Sequence, residues 1–177
     1  MGEYELDQDQ SFRLAIEVFI EFARFEYCLK ASGFLKTPNG PAEPNWDKFA
    51  NCNKIKKLFD KINSGTAESD CKMRYLLNNP PKQQIATDNK LDWEEPNKIK
   101  SSQDYFGAVR RVRNNLFHGG KFNGNFFEPQ RSVELLEAVL CVLKAAREHH
   151  TGIEEAYNHS SDKHFDGEYP LQTPLTI

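Results

Sequence analysis

Arg110, Arg111, Arg113, Asn114, Asn115 and His118 place three guanidiniums, two amides and an imidazole within nine positions, and Gly119-Gly120 follow at once. Those groups suit phosphodiester chemistry. An imidazole that titrates near neutrality serves as general base or acid. A guanidinium holds a phosphate through paired N–H donors and neutralises charge as it builds. Asn114 can orient either group. Together they fit RNA cleavage in which the 2′-OH is the nucleophile and no metal is needed. The two glycines remove bulk beside His118, which leaves room for a polymer.

The element that must carry these residues is a helix starting near Ser101 or Ser102, either a good cap, with Asp104 in its first turn. It is expected to run to His118 and stop at the glycines. At ~100° per residue, Tyr105, Val109, Val112 and Leu116 form one apolar stripe with Arg113 at its edge. Arg110, Asn114 and His118 follow around the next arc, so Arg113 and His118 stand roughly 140° apart on an ideal helix. The site closes if the last turn loosens at the glycines, or if a second copy of the helix faces the first. His118 sits where a helix C-terminus favours imidazolium; a capping donor without catalysis is the alternative role. Arg110, Arg111 and Lys121 are candidate RNA contacts, and surface ion pairs are the alternative for the two arginines. Asn115 faces away from the arc and reads as structural.

The other elements are also helical by pattern. Over residues 8–32, Phe12, Leu14, Ile16, Val18, Phe19, Phe22, Phe25 and Leu29 fill much of the circumference, which predicts a well-buried helix ended by Gly33. Asn45 is the expected N-cap of a second helix with Phe49, Ile55, Leu58, Phe59 and Ile62 on its apolar face. Lys54, Lys56, Lys57 and Lys61 on it are a solvated face or a surface that tracks RNA. A short helix is expected over 67–77, stopped by Asn78-Asn79-Pro80-Pro81. Residues 82–98 are polar without clear period and read as a long loop pinned by Trp93. Residues 121–129 form a connection rich in Phe, Asn and Gly that anchors to the core or touches RNA. A last long helix starts at Pro129 and runs to 149 or beyond, with Val133, Leu136, Val139, Leu140, Val142 and Leu143 toward the core. No strand alternation and no repeat stands out. The expected architecture is all-α: one helical domain over 1–157, two long hydrophobic helices bracketing shorter ones, and a tail over 158–177.

Composition narrows the functions. The chain has 177 residues, 38% of them hydrophobic and 28% charged, and a formal net charge of -3. That length suits a single domain with a real core. The charge excludes binding duplex nucleic acid through a broadly cationic surface, so any such contact is local. No stretch approaches the ~20 apolar residues of a membrane span, and the acidic first ten residues lack a signal pattern, so a cytoplasmic protein is expected. Cys28, Cys52, Cys71 and Cys141 form no CxxC pair and read as buried free thiols. His149, His150, His159 and His164 are irregularly spaced, and no metal or cofactor is expected.

Arg113-Asn114-Asn115-Leu116-Phe117-His118 resembles the Arg-(four to six residues)-His motif of HEPN-superfamily ribonucleases, including the polar residue after the Arg. Its place near the end of a late helix strengthens the likeness, as does Phe19-Ile20-Glu21-Phe22-Ala23-Arg24-Phe25-Glu26-Tyr27 on the first long helix. The resemblance covers roughly residues 8–150. It implies a HEPN-like helical bundle that dimerises and brings two motifs into one cleft. It also implies metal-independent endoribonuclease activity leaving a 2′,3′-cyclic phosphate and a 5′-OH. His118 would be the acid/base, Arg113 the phosphate-binding and transition-state group, and Asn114 the polar helper. A first-helix carboxylate would support them: Glu21, with Glu17 and Glu26 as rivals. Arg110 is a second possible support. The substrate would be single-stranded RNA or a tRNA loop. An antitoxin or a partner from a defence system against phage would be the protein partner. Some toxin members carry a Tyr two residues after the His that a nucleotidyltransferase antitoxin modifies; here that position is Gly120. The alternatives are a catalytically inactive HEPN-like module that binds nucleotides, RNA or protein, and a helical adaptor whose arginines dock an acidic partner.

Overall fold

A computed structural model describes residues 2–66, 71–117 and 129–160. In chain order they form α1 (Gly2–Ala31), α2 (Trp46–Asn51), α3 (Asn53–Ser64), α4 (Cys71–Asn78), β1 (Gln83–Thr87), β2 (Lys90–Glu94), α5 (Ser102–Phe117), α6 (Pro129–Glu148) and α7 (Thr151–His159). The chain is mostly helical, and no described helix is long and apolar enough to cross a membrane. The two long helices, α1 and α6, pack on each other; α4 lies against α6, and α7 folds back onto α1.

The helix ends follow local chemistry. Gly33, at φ 81°, ends α1: Phe34 N–H donates to Leu29 O at 2.9 Å and Gly33 N–H to Lys30 O at 3.1 Å. Asn45 caps α2 as its type predicts, its side chain accepting from Lys48 N–H at 2.9 Å. The expected second helix is two, because the chain turns extended at Cys52 before α3 begins. Ser101 and Asp104 form a reciprocal cap on α5. Ser101 Oγ accepts from Asp104 N–H at 3.1 Å, and Asp104 Oδ2 accepts from Ser101 N–H at 3.1 Å and Lys100 N–H at 3.0 Å. Those bonds, led by the one from Lys100, hold the Asp104 carboxyl below its usual range.

An aromatic cluster holds the bundle together. Phe49 is fully buried, with ring centroids of Phe25, Phe34, Trp46 and Phe106 at 5.5, 5.5, 6.0 and 5.0 Å. Phe106 and Tyr105 bring α5 into the same core, and the Tyr105 hydroxyl donates to Met73 O at 2.8 Å. At the N-terminus of α5 the buried Ser102 hydroxyl donates to Ala50 O at 2.7 Å. Of the four free cysteines, Cys28 alone is buried, and burial pushes its thiol up to about 11. Cys71 is exposed and the other two are half-buried, so the expectation of buried thiols holds only for Cys28.

Four further expectations need correction. Residues 83–94 are a β-hairpin rather than a loop, with Gln84 opposite Trp93 and Thr87 opposite Lys90. Its two-residue turn places Asp88 and Asn89 at φ 50° and 60°, the left-handed backbone that a type I′ turn needs and that Asp and Asn tolerate. Trp93 is 38% exposed and lies outside the buried core; strand pairing, not a pinned indole, organises the segment. The first helix is only half buried. Ser11, Val18, Phe22, Phe25 and Leu29 form its inner seam, while Phe12, Ile16, Phe19 and Ile20 are 60%, 47%, 53% and 55% exposed. Finally, the chain breaks at His149 and His150, so α7 is a separate helix, and it continues to His159 past the expected tail boundary at 158. Of the short helix expected over 67–77, the described part is α4; 67–70, 118–128 and 161–177 lie outside the described residues.

His150 caps this break. Its ring meets Phe34 edge-on at 5.3 Å, and burial, then the charge of Lys54, holds its imidazole below the usual value. A base whose folded pKa is depressed charges more readily in the unfolded chain. The stability it supports is present above the ordinary histidine pKa and is lost as pH falls through it. Denaturant unfolding between about pH 7.5 and 5.5 is expected to show wild type losing stability and His150→Phe losing less. Parallel losses would contradict this role.

Candidate functional site

On α5, Val109 and Val112 are buried, Leu116 is half-buried, and Arg113 is half-buried at the edge, as the wheel requires. The Arg113 guanidinium carbon stands 5.4 Å from the centroid of the Phe22 ring on α1, and its Nη1 donates to Asn114 Oδ1 at 3.1 Å. The arginine is therefore placed twice: by an aromatic face beneath it and by the neighbouring amide. Asn114 is exposed. His118 and Lys121 lie outside the described residues, as does the connection with Phe122, Phe126 and Phe127.

The first-helix carboxylates have distinct surroundings. Glu21 is bound by the phenol of Tyr157 on α7, whose hydroxyl lies 2.9 and 2.8 Å from its two oxygens. Two guanidinium carbons sit over the Tyr157 ring, Arg24 at 3.5 Å and Arg147 at 3.9 Å. Arg24 also donates to Ser160 Oγ at 2.7 Å and to Tyr157 O at 2.8 Å, and Arg147 pairs with Glu154 at 2.8 Å. Burial, then the Glu21 carboxylate, raises the Tyr157 phenol above its usual value. Glu21 thus locks α7 onto α1. Glu26 accepts from Trp46 Nε1 at 3.1 Å, and Glu17 is exposed.

The hairpin is fixed beside α5 by three successive carbonyls. Arg131 donates to Pro80 O at 3.3 Å, Arg111 to Pro81 O at 3.3 Å and Asn115 to Lys82 O at 2.9 Å. These carbonyls, from Pro80, Pro81 and Lys82, lie outside the helix and the strand ladder and accept from side chains instead. Arg111 and Asn115, one turn apart, therefore brace the hairpin. Asn115 makes a structural bond as expected, but it lines the same groove as Arg110 and Asn114 rather than facing away from them, and Arg111 bonds a carbonyl where a carboxylate pair was the alternative. Arg110 is exposed and makes no hydrogen bond or ion pair among the described residues.

Between the hairpin and α5 lies an open groove of about 430 Å³, lined by Gln83, Gln84, Gly107, Arg110, Arg111, Asn114 and Asn115. Two cations and four amides face it, and among the described residues no carboxylate lines it. Gln83, Gln84 and Gly107 were not legible as site residues. The available signal was a glycine inside a helix, which costs about 1 kcal/mol relative to alanine and so asks for a reason.

No family model, curated protein or solved structure matches the chain.

Proposed function

We propose that the protein is a metal-independent endoribonuclease of HEPN type, a homodimer whose Arg113 and His118 cleave RNA by 2′-OH attack. The observation that carries this reading is the placement of Arg113. It is an arginine near the end of a partly buried helix, held over Phe22, bonded by Asn114, and followed, after four intervening residues, by a histidine and two glycines. In the proposed reaction His118 takes the proton of the 2′-OH, the 2′ oxygen bonds the phosphorus, and the bond to the 5′ oxygen breaks. An acid returns a proton to that oxygen, leaving a 2′,3′-cyclic phosphate and a 5′-OH. Arg113 neutralises the charge that builds on the phosphoryl oxygens. Toxin–antitoxin or anti-phage work in the cytoplasm is the setting this reading suggests. The test is cleavage of total RNA in EDTA, abolished in His118→Ala; equal behaviour of the two proteins rejects the assignment and leaves an inactive binding module.

The α1 stripe supports the dimer. At roughly half exposure each of its four side chains presents about 100 Å², so the stripe is about 400 Å² of apolar surface, the size at which patches mark interaction sites. Two copies back to back would bury about 800 Å² of it, the apolar half of a standard interface of about 1,600 Å². Ile16→Glu with Ile20→Glu is expected to convert a particle of twice 20.4 kDa into a monomer, measured by light scattering, and to lower activity with it. A wild-type monomer with full activity would contradict the composite cleft.

A further inference from the structure

The groove between α5 and the hairpin is not needed to explain the Arg113–His118 chemistry, and its lining has a definite character. Gly107, Arg110, Arg111 and Asn114 recur at spacings of three and four along one face of α5, and Gln83 and Gln84 form the opposite wall. Its volume of about 430 Å³ falls within the range of ligand sites, about 300–1,000 Å³. Amides offer both donors and acceptors, the requirement for base edges, and Arg110 is a cation with no described partner, the requirement for a phosphate. Trp93 pairs with Gln84, so both side chains leave the hairpin on one face, and its indole is 38% exposed. Trp93 is not itself a lining residue, but an exposed indole on the strand next to Gln84, together with a cationic, amide-lined channel, is the equipment that binds unpaired bases. The exposed Leu91, opposite Ala86 on that face, extends the apolar rim.

We propose that this groove carries single-stranded RNA toward Arg113. A phosphate is held by Arg110, bases are met by Gln83, Gln84 and Asn114, and one base stacks on Trp93. A duplex keeps its bases stacked inward and offers the groove only backbone. Gly107 belongs to the same design, since a Cβ there meets nothing within 4 Å and its absence leaves the channel floor open. This inference gives the path of the substrate on the proposed nuclease and therefore rests on that reading.

The test uses a fluorescein-labelled single-stranded RNA with 2′-O-methyl groups throughout. Its 2′ oxygens are blocked, so binding is read whether or not the protein cleaves. The chain has two tryptophans, and Trp46 is buried. RNA is therefore expected to quench the Trp93 emission, with Trp93→Phe removing the quench. Gly107→Leu fills the groove without changing charge and raises helix propensity; it is expected to weaken binding about 10-fold, the effect of losing one strong contact. Arg110→Ala should weaken it similarly and lower the salt slope of log K by about 0.7. If Gly107→Leu binds as wild type, or Trp93→Phe is quenched as wild type, the groove is not the RNA path. A duplex that quenches equally, or oligo-glutamate that displaces the RNA at equal concentration, also overturns the proposal. Loss of cleavage with binding and quench intact would count against the nuclease reading alone.

Discussion

Arg113→Ala is expected to lower RNA cleavage by about 10²–10³-fold, and His118→Ala by about 10²–10⁴-fold, each with a folded protein of unchanged size. Arg113 is half-buried at the rim of the core, where its guanidinium lies over Phe22 and bonds Asn114. Its removal should therefore act on the reaction more than on the fold. Arg113→Lys separates charge from shape. A lysine keeps the charge but has neither the planar fork that grips two phosphoryl oxygens nor a flat face for the Phe22 ring. On the proposed mechanism it recovers little of the rate. Full activity in Arg113→Lys would reduce the arginine to a general electrostatic role. A mixture of Arg113→Ala and His118→Ala chains adds a direct reading of the composite cleft. If one site draws Arg113 from one copy and His118 from the other, mixed dimers regain part of the activity that neither variant has alone.

The second large effect is on stability. Phe49→Ala is expected to cost about 3–5 kcal/mol, a large part of the roughly 5–15 kcal/mol that holds a domain of this kind. Phe49 is fully buried and touches the rings of Phe25, Phe34, Trp46 and Phe106, which come from α1, the segment after it, α2 and α5. No neighbour is placed to collapse into the space without leaving its own ring contacts. Phe49→Leu, nearer in volume, should cost about 1.5 kcal/mol or less. The measurement is the shift in urea midpoint at constant slope. A cost below about 1 kcal/mol for the alanine variant would mean that the aromatic cluster does not organise the bundle. Because Phe106 sits one turn from Arg110 on α5, the alanine variant should also lose activity through misplacement of that helix.

The parts of the fold that were legible in the sequence are those set by local chemistry. Asn45, Ser101, Asp104 and Gly33 cap helices where their types require it. The α5 stripe of Tyr105, Val109 and Val112 is buried as its spacing demands, with Arg113 at its edge. The misreadings share a cause: they depend on what a segment packs against. The apolar residues of α1 fill most of a wheel, and the wheel does not tell an inner seam at Val18, Phe22 and Phe25 from an outer stripe at Ile16, Phe19 and Ile20. The apolar alternation of the hairpin is confined to Leu91 and Trp93 on one strand, too short to stand out, and its left-handed Asp88-Asn89 turn replaces the more familiar glycine. Its location depends on Arg131, Arg111 and Asn115 reaching three carbonyls 51, 30 and 33 residues away. Glu21 illustrates the same limit. A carboxylate on the first long helix was legible as a group in need of a partner, but Tyr157, more than a hundred residues later, was not legible as the partner it takes.

RNA cleavage by 2′-OH attack without a metal leaves its signature in the ends of the fragments. Purified wild-type protein incubated with RNA in EDTA is predicted to yield fragments with a 2′,3′-cyclic phosphate and a 5′-OH, while RNA with 2′-O-methyl groups throughout stays intact. Cleavage that EDTA stops, fragments with 5′-phosphates, or RNA left whole by a folded wild-type protein would contradict it.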